Sequence, residues 1–137
     1  YIYSFPINKN EVSNAILSNK INLKKIIKIV HLEIRKKLNI FLSKNRNKKI
    51  VILDIPLLLE NKINKKNDIL VFVKSKKLDI LKRLKKREGF NPKLLNKFKN
   101  IQLSLDYKKK KAQFVIKNDF TKKSVNKSIK KILENIL

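Results

Sequence analysis

The sequence predicts an α/β fold built on a parallel sheet. Three observations carry this: continuous apolar runs at 50–53, 69–73 and 114–116, helical periodicity between and around them, and a hydrophobic fraction of 42% over 137 residues. A short apolar run without polar alternation fits a strand covered on both faces, as in a parallel sheet. Strands separated by helices imply crossover connections. The length suits one ordinary domain, or most of one, in which about two-thirds of the extended chain's surface is buried.

The elements follow in order. Tyr1 to Pro6 reads as a short aromatic, extended start. Asn10 is placed to cap a helix through Val12, Ile16 and Leu17, with Glu11 near its positive end. Asn22 opens a longer helix whose apolar positions are Leu23, Ile26, Ile27, Val30, Ile34, Leu38, Phe41 and Leu42, one stripe at three- and four-residue spacing. Asn45 to Lys49 is a polar break. Ile50, Val51, Ile52 and Leu53 form a first strand ending in Asp54, and Pro56 stops it. Leu57 to Glu60 begin a turn or short helix, and 61–67 is a polar loop.

Ile69 to Val73 is the second strand. Ser75 is placed to cap the next helix, with Leu78, Leu81 and Leu84 inward, and Gly89 to stop it. Asn91 and Pro92 give an N-cap with proline in the first turn, ahead of Leu94, Leu95, Phe98, Ile101 and Gln102. The lysine run from Lys108 to Lys111 follows. Phe114 to Ile116 is a third strand broken by Asn118 and Asp119, and Thr121 caps a last amphipathic helix. No internal repeat and no long linker divides the chain.

Composition excludes several chemistries. Cysteine is absent, which removes disulfides, thiolate metal sites and a cysteine nucleophile. His31 is the one histidine, so a histidine-rich zinc site is out. Gly89 is the one glycine, and a phosphate-cradling loop needs several, because backbone N–H groups must approach the ligand closely. No apolar run reaches the roughly 20 residues that span a bilayer, and no signal-peptide pattern is visible. The expected compartment is the cytoplasm. Methionine is also absent and the chain opens at Tyr1, which points to missing upstream sequence.

The net charge is +26, from 36 Lys and Arg against 10 Asp and Glu. Clustered cations reward phosphate neutralisation, so nucleic-acid binding is one reading. Yet Arg35, Arg46, Arg83 and Arg87 are the only arginines, and bidentate phosphate and base contacts favour arginine's planar fork. The lysine excess travels with asparagine and isoleucine, a mark of AT-rich codons. Compositional bias is therefore the favoured reading, and no specific nucleic-acid or membrane partner is expected.

Certain residues could carry chemistry. Asp54 closes an apolar strand, where ligands of open parallel sheets gather, and it is either a ligand-facing carboxylate or a strand-end cap. His31 and Arg35 lie one helical turn apart, as a pair of phosphate or sugar donors or as packed and solvated helix residues. Arg83 and Arg87 are four apart, able to clasp a polyphosphate or simply to face water. No Ser–His–Asp set or paired carboxylate is visible in the sequence order.

Taken together, these segments resemble the dephospho-CoA kinase family. Val51 to Glu60 (VILDIPLLLE) resembles that family's strand followed by Asp-x-Pro-Leu-Leu-x-Glu. Leu17-Ser18-Asn19 matches its Phe-Ser-Asn turn with Leu for Phe, and His31 to Arg35 its His-Pro-x-Ile helix with Leu32 for Pro. Arg83 to Gly89 resembles Arg-Leu-x-x-Arg-Asp-Gly. Gln102, Lys108 and the stretch Ala112 to Asn118 complete the set, in order and without gaps from Leu17 to Asn118. The last helix fits only in pattern.

The resemblance implies a three-layer α/β fold with a P-loop kinase-like parallel sheet, incomplete at the N-terminus, with helical substrate and lid regions. Residues 1–137 would be a single partial kinase domain: 1–48 the acceptor-binding helical region, 49–74 the core strands, 75–112 the lid-flanking helices, and 113–137 the last strand and C-terminal helix. The implied reaction transfers the γ-phosphoryl of ATP, with Mg2+, to the ribose 3′-hydroxyl of dephospho-CoA. It would place His31, Arg35, Asp54, Pro56, Leu57, Leu58 and Glu60 at the acceptor. It would place Arg83, Arg87, Lys108 and Asn118 at the nucleotide.

The family's Gly-rich loop, with its Lys and Ser/Thr, and the Asp that accepts the hydroxyl proton have no counterpart in these residues. The resemblance thus assigns no catalytic or metal-holding residue here, and implies that roughly 60 residues precede Tyr1. The chain by itself is expected to be inactive and poorly stable. Another small nucleotide kinase, or a non-enzymatic basic nucleic-acid-binding module, are the alternative readings. Oligomeric state is not readable.

Overall fold

The computed structural model describes residues 5–137, so the expectation for Tyr1 to Ser4 lies outside the described residues. Their contacts cluster into two units, 5–58 with Asn91–Asn100, and Leu59–Phe90 with Ile101–Leu137.

The first unit is helical. Helix α1 spans Lys9–Ser18 and α2 spans Lys20–Lys44. The α1 cap is Asn8 rather than Asn10, its side chain accepting from the Asn10 N–H at 2.8 Å. Asn19, with extended backbone (φ −146°, ψ 133°), both ends α1 and caps α2 by accepting from the Ile21 N–H at 2.8 Å. Asn22 therefore does not open the second helix. It lies inside it and donates back to the Ala15 carbonyl at 2.9 Å. Ile16 and Leu23 are the buried apolar side chains here.

The expected stripe of α2 is covered unevenly. Leu23 is buried, Ile26, Ile34 and Leu38 are half-buried, and Val30 and Phe41 are exposed. A helical apolar pattern marks the face that would be covered, and only a packed neighbour covers it. Helix α1 packs against α2 and against α3, which spans Pro92–Lys99. Asn91 and Pro92 start α3 as the sequence predicts, with Asn91 accepting from the Lys93 and Leu94 N–H groups. The helix stops at Lys99, short of Gln102.

Residues 50–53 do not form the predicted strand: they pair with no ladder among the described residues, and Ile52 is 84% exposed. Strand structure is a property of pairs. An apolar β-branched run supplies propensity, and without a hydrogen-bonded neighbour it remains a loop.

The second unit is α/β. Strand β1 (Val71–Lys74) and β2 (Phe114–Lys117) run parallel, with Val71 opposite Phe114 and Lys74 opposite Lys117. The predicted parallel pairing holds for this pair of runs. The ladder starts at Val71 rather than Ile69 because the Leu70 N–H bonds a side chain, the Gln113 Oε1 at 2.7 Å, while the Gln113 N–H donates to the Leu70 carbonyl at 2.9 Å.

Helix α4 (Lys77–Lys85) follows β1, but its cap position is Lys76 and it has no side-chain cap, so Ser75 does not cap it. The helix ends before Gly89, which sits in the turn beyond with φ +71°, a conformation natural to glycine. Helix α5 (Leu105–Lys111) is capped by Ser104, whose Oγ accepts from the Tyr107 N–H. The lysine run is thus the end of a short helix. Helix α6 (Lys122–Ile136) packs on β2.

Candidate functional site

In the second unit an open cleft of about 220 Å³ is lined by Ser75, Ile80, Arg83, Leu84, Arg87 and Phe120. The volume is below the about 300–1,000 Å³ of drug-sized ligand sites. Arg83 stands over the Phe120 ring, its guanidinium carbon 4.5 Å from the centroid, within cation–π range. Arg87 lies just past α4, its N–H donating to the Leu84 carbonyl at 3.1 Å. Cations beside an aromatic ring can hold a ligand that is both flat and anionic.

Phe120 reaches the cleft through an unusual turn. Its φ is +65°, left-handed for a bulky residue. The turn is held from both sides. Asn118 Oδ1 accepts from the Phe120 N–H at 2.8 Å. Asp119 Oδ1 accepts from the Thr121 N–H (2.9 Å), the Thr121 hydroxyl (2.7 Å) and the Ser124 hydroxyl (2.6 Å). Those bonds, the Ser124 hydroxyl first, hold the Asp119 carboxyl down at about 2. Thr121 stands at the α6 cap, yet makes no side-chain capping bond to that helix.

Glu60 and Lys108 form an ion pair at 2.6 Å, with side chains 9% and 21% exposed. The same Glu60 Oε1 accepts from the Leu103 N–H at 3.0 Å. Burial works to raise the Glu60 pKa, but the hydrogen bonds, the Lys108 one foremost, and that ammonium's charge outweigh it, and the net shift is downward. Glu60 is therefore held as a carboxylate.

The remaining candidates lie in the first unit. His31 and Arg35 share one face of α2, His31 half-buried and Arg35 exposed. Asp54 and Pro56 are exposed, and Leu57, at φ +56°, and Leu58 are half-buried. The structure joins Arg83 with Arg87, Glu60 with Lys108, and Asn118 with the turn carrying Phe120.

Sequence reasoning missed Phe120, Ser75 and the Leu103 N–H. The available signal was an aromatic residue directly after the Asn118-Asp119 break, where a turn presents a ring. Among the described residues no group of three or more His, Cys, Asp or Glu could hold a metal ion.

A parallel β pair joined through helices, with a second helix packed on β2, is an α/β architecture. The family model for dephospho-CoA kinase matches residues 6–124. Dephospho-CoA kinase of Wolbachia pipientis wMel is 30% identical over 132 residues, covering 95% of this chain and 67% of that protein. The Rickettsia typhi (strain ATCC VR-144 / Wilmington) protein of the same name is 32% identical over 129 residues, covering 94% and 68%. That of Rickettsia conorii (strain ATCC VR-613 / Malish 7) is 32% identical over 133 residues, covering 97% and 69%. The chain belongs to the dephospho-CoA kinase family, as the resemblance of its motifs implied. All the quoted blocks, from Leu17 to Asn118, fall inside the matched range.

Proposed function

We propose that the chain serves ATP-dependent phosphorylation of the ribose 3′-hydroxyl of dephospho-CoA, the last step of coenzyme A synthesis. The observation that carries this reading is the family match over residues 6–124. In such a transfer the acceptor oxygen bonds the γ-phosphorus while the bond to the β–γ bridging oxygen breaks and ADP leaves. Catalysis is then mostly charge neutralisation and positioning.

Arg83, Arg87, Lys108 and Asn118 hold the nucleotide in this reading, Phe120 offering its base a stacking face. His31, Arg35, Asp54, Pro56, Leu57, Leu58 and Glu60 serve the acceptor. The wider reading is one kinase domain over 1–137, with a three-layer, P-loop-like sheet. The Mg2+ of this reading has no set of three or more His, Cys, Asp or Glu among the described residues to hold it. No helix of the described residues is long and apolar enough to cross a membrane. The cytoplasm is the compartment this reading assigns to the chemistry.

With one glycine in 137 residues, the chain has no multi-glycine phosphate cradle. The purified 137-residue polypeptide is thus expected to give no turnover. Expressing the reading frame that contains this sequence in cells depleted of their own dephospho-CoA kinase tests the function. Restored growth with restored coenzyme A is the expected result, and growth failure despite soluble expression overturns it.

A further inference from the structure

Glu60 grips the start of α5 on both sides of its cap. Its Oε1 takes the Leu103 N–H at 3.0 Å, one residue before the Ser104 cap, and the Lys108 ammonium at 2.6 Å, inside the helix. Helix α5 has seven residues, too few to hold its shape unaided, so such an anchor fixes its direction. An ammonium has three N–H donors, and Glu60 uses one. A nearly buried ion pair adds little net stability over an apolar pair of the same shape. Its distinctive effect is geometric, holding a flexible four-carbon stem in one place.

We propose that Glu60 is a positioning residue for Lys108, seating the ammonium so that its remaining donors meet a phosphate group. The proposal rests on the reading of Lys108 as a phosphate-binding residue. It reassigns Glu60 from contact with the acceptor to control of that lysine. Once Glu60 releases it, the lysine must give up its rotamer freedom on binding, and its contribution shrinks.

The test is calorimetric titration of the protein expressed from the reading frame that contains this sequence with inorganic triphosphate at physiological salt. Wild type, Lys108→Met, Glu60→Gln and the double variant are compared. Glu60→Gln keeps the Oε1 acceptor for the Leu103 N–H and removes the charge that holds the Lys108 ammonium there, so protection of that amide from exchange reports an intact loop while the lysine is loosened. Lys108→Met is expected to weaken binding about tenfold in the wild-type background and less than about threefold in Glu60→Gln. Equal losses in both backgrounds overturn the positioning role while leaving Lys108 a phosphate residue. No loss in either background removes Lys108 from the phosphate site, and the proposal with it. Lys108→Arg is independent of Glu60→Gln folding. It keeps the charge but changes donor placement, and is expected to lose at least about threefold, whereas wild-type affinity in Lys108→Arg overturns positioning.

Discussion

The Lys97 ammonium donates to the Ile16 carbonyl at 2.6 Å and to the Leu17 carbonyl at 3.0 Å, tying α3 to the last turn of α1. These carbonyls have no partner within their own helix, and a cation suits its negative end. The Ala15 carbonyl is met separately by the Ser18 hydroxyl and the Asn22 amide. Lys97→Met keeps most of the stem and deletes the charge. It is expected to destabilise α1 by about 1–3 kcal/mol. Hydrogen exchange checks this: α1 amides should exchange faster while those of α6 keep their rates.

Phe120 supplies an aromatic face beneath Arg83. Stacking of a base on such a ring is worth about 1–3 kcal/mol. Phe120→Leu is therefore expected to weaken ATP about tenfold and to leave inorganic triphosphate within about twofold. Phe120→Gly accepts the left-handed backbone without strain, and should lose ATP affinity to the same degree. Parallel titrations with both ligands decide, and equal weakening of both would move the base elsewhere.

Asp119 gives a pH signature. Its carboxyl sits near 2, against an ordinary 3.8, because the Ser124 hydroxyl and then the Thr121 hydroxyl and N–H bond its ionised form. The folded value lies below the unfolded one, so folding favours the carboxylate. The stabilisation is complete above about pH 4 and is lost as pH falls through about 2. Ser124→Ala should raise the Asp119 pKa toward the ordinary value, read from the carboxyl carbon shift during acid titration. An unmoved midpoint would assign the depression to other groups.

Arg35 and His31 are proposed for the acceptor. Arg35→Ala and His31→Gln are each expected to weaken dephospho-CoA binding about tenfold while ATP affinity stays within about twofold. Equilibrium dialysis with each ligand separates the two effects. Loss of ATP affinity instead would transfer these residues to the nucleotide.

Among the predicted caps, Asn91 with Pro92 is where the sequence places it, while Asn8 and Asn19 take the places expected of Asn10 and Asn22, and neither Ser75 nor Thr121 makes a side-chain cap. The helices themselves were legible from their period, and the run at Phe114 became a strand because Val71 pairs with it. The family was legible because several short blocks keep their spacing. Non-local partnerships were not legible. Nothing in Ile50 to Leu53 announces the lack of a ladder, and nothing in Leu70 announces that its N–H bonds Gln113. Glu60 and Lys108 were each visible as candidates, but for different ligands, since only the folded chain brings residues 48 positions apart to 2.6 Å. Phe120 escaped because its role depends on a positive φ that aromatic residues seldom adopt.

Val71 and Val73 point the same way from β1 and stay 41% and 54% exposed, in a chain of net charge +26. Mutual repulsion among so many lysines is expected to keep these sticky strands of separate molecules apart in solution. Raising ionic strength toward about 1 M shortens the reach of that repulsion to about 3 Å. Unlike most purified proteins, this one should cloud as sodium chloride is added and clear again on dilution.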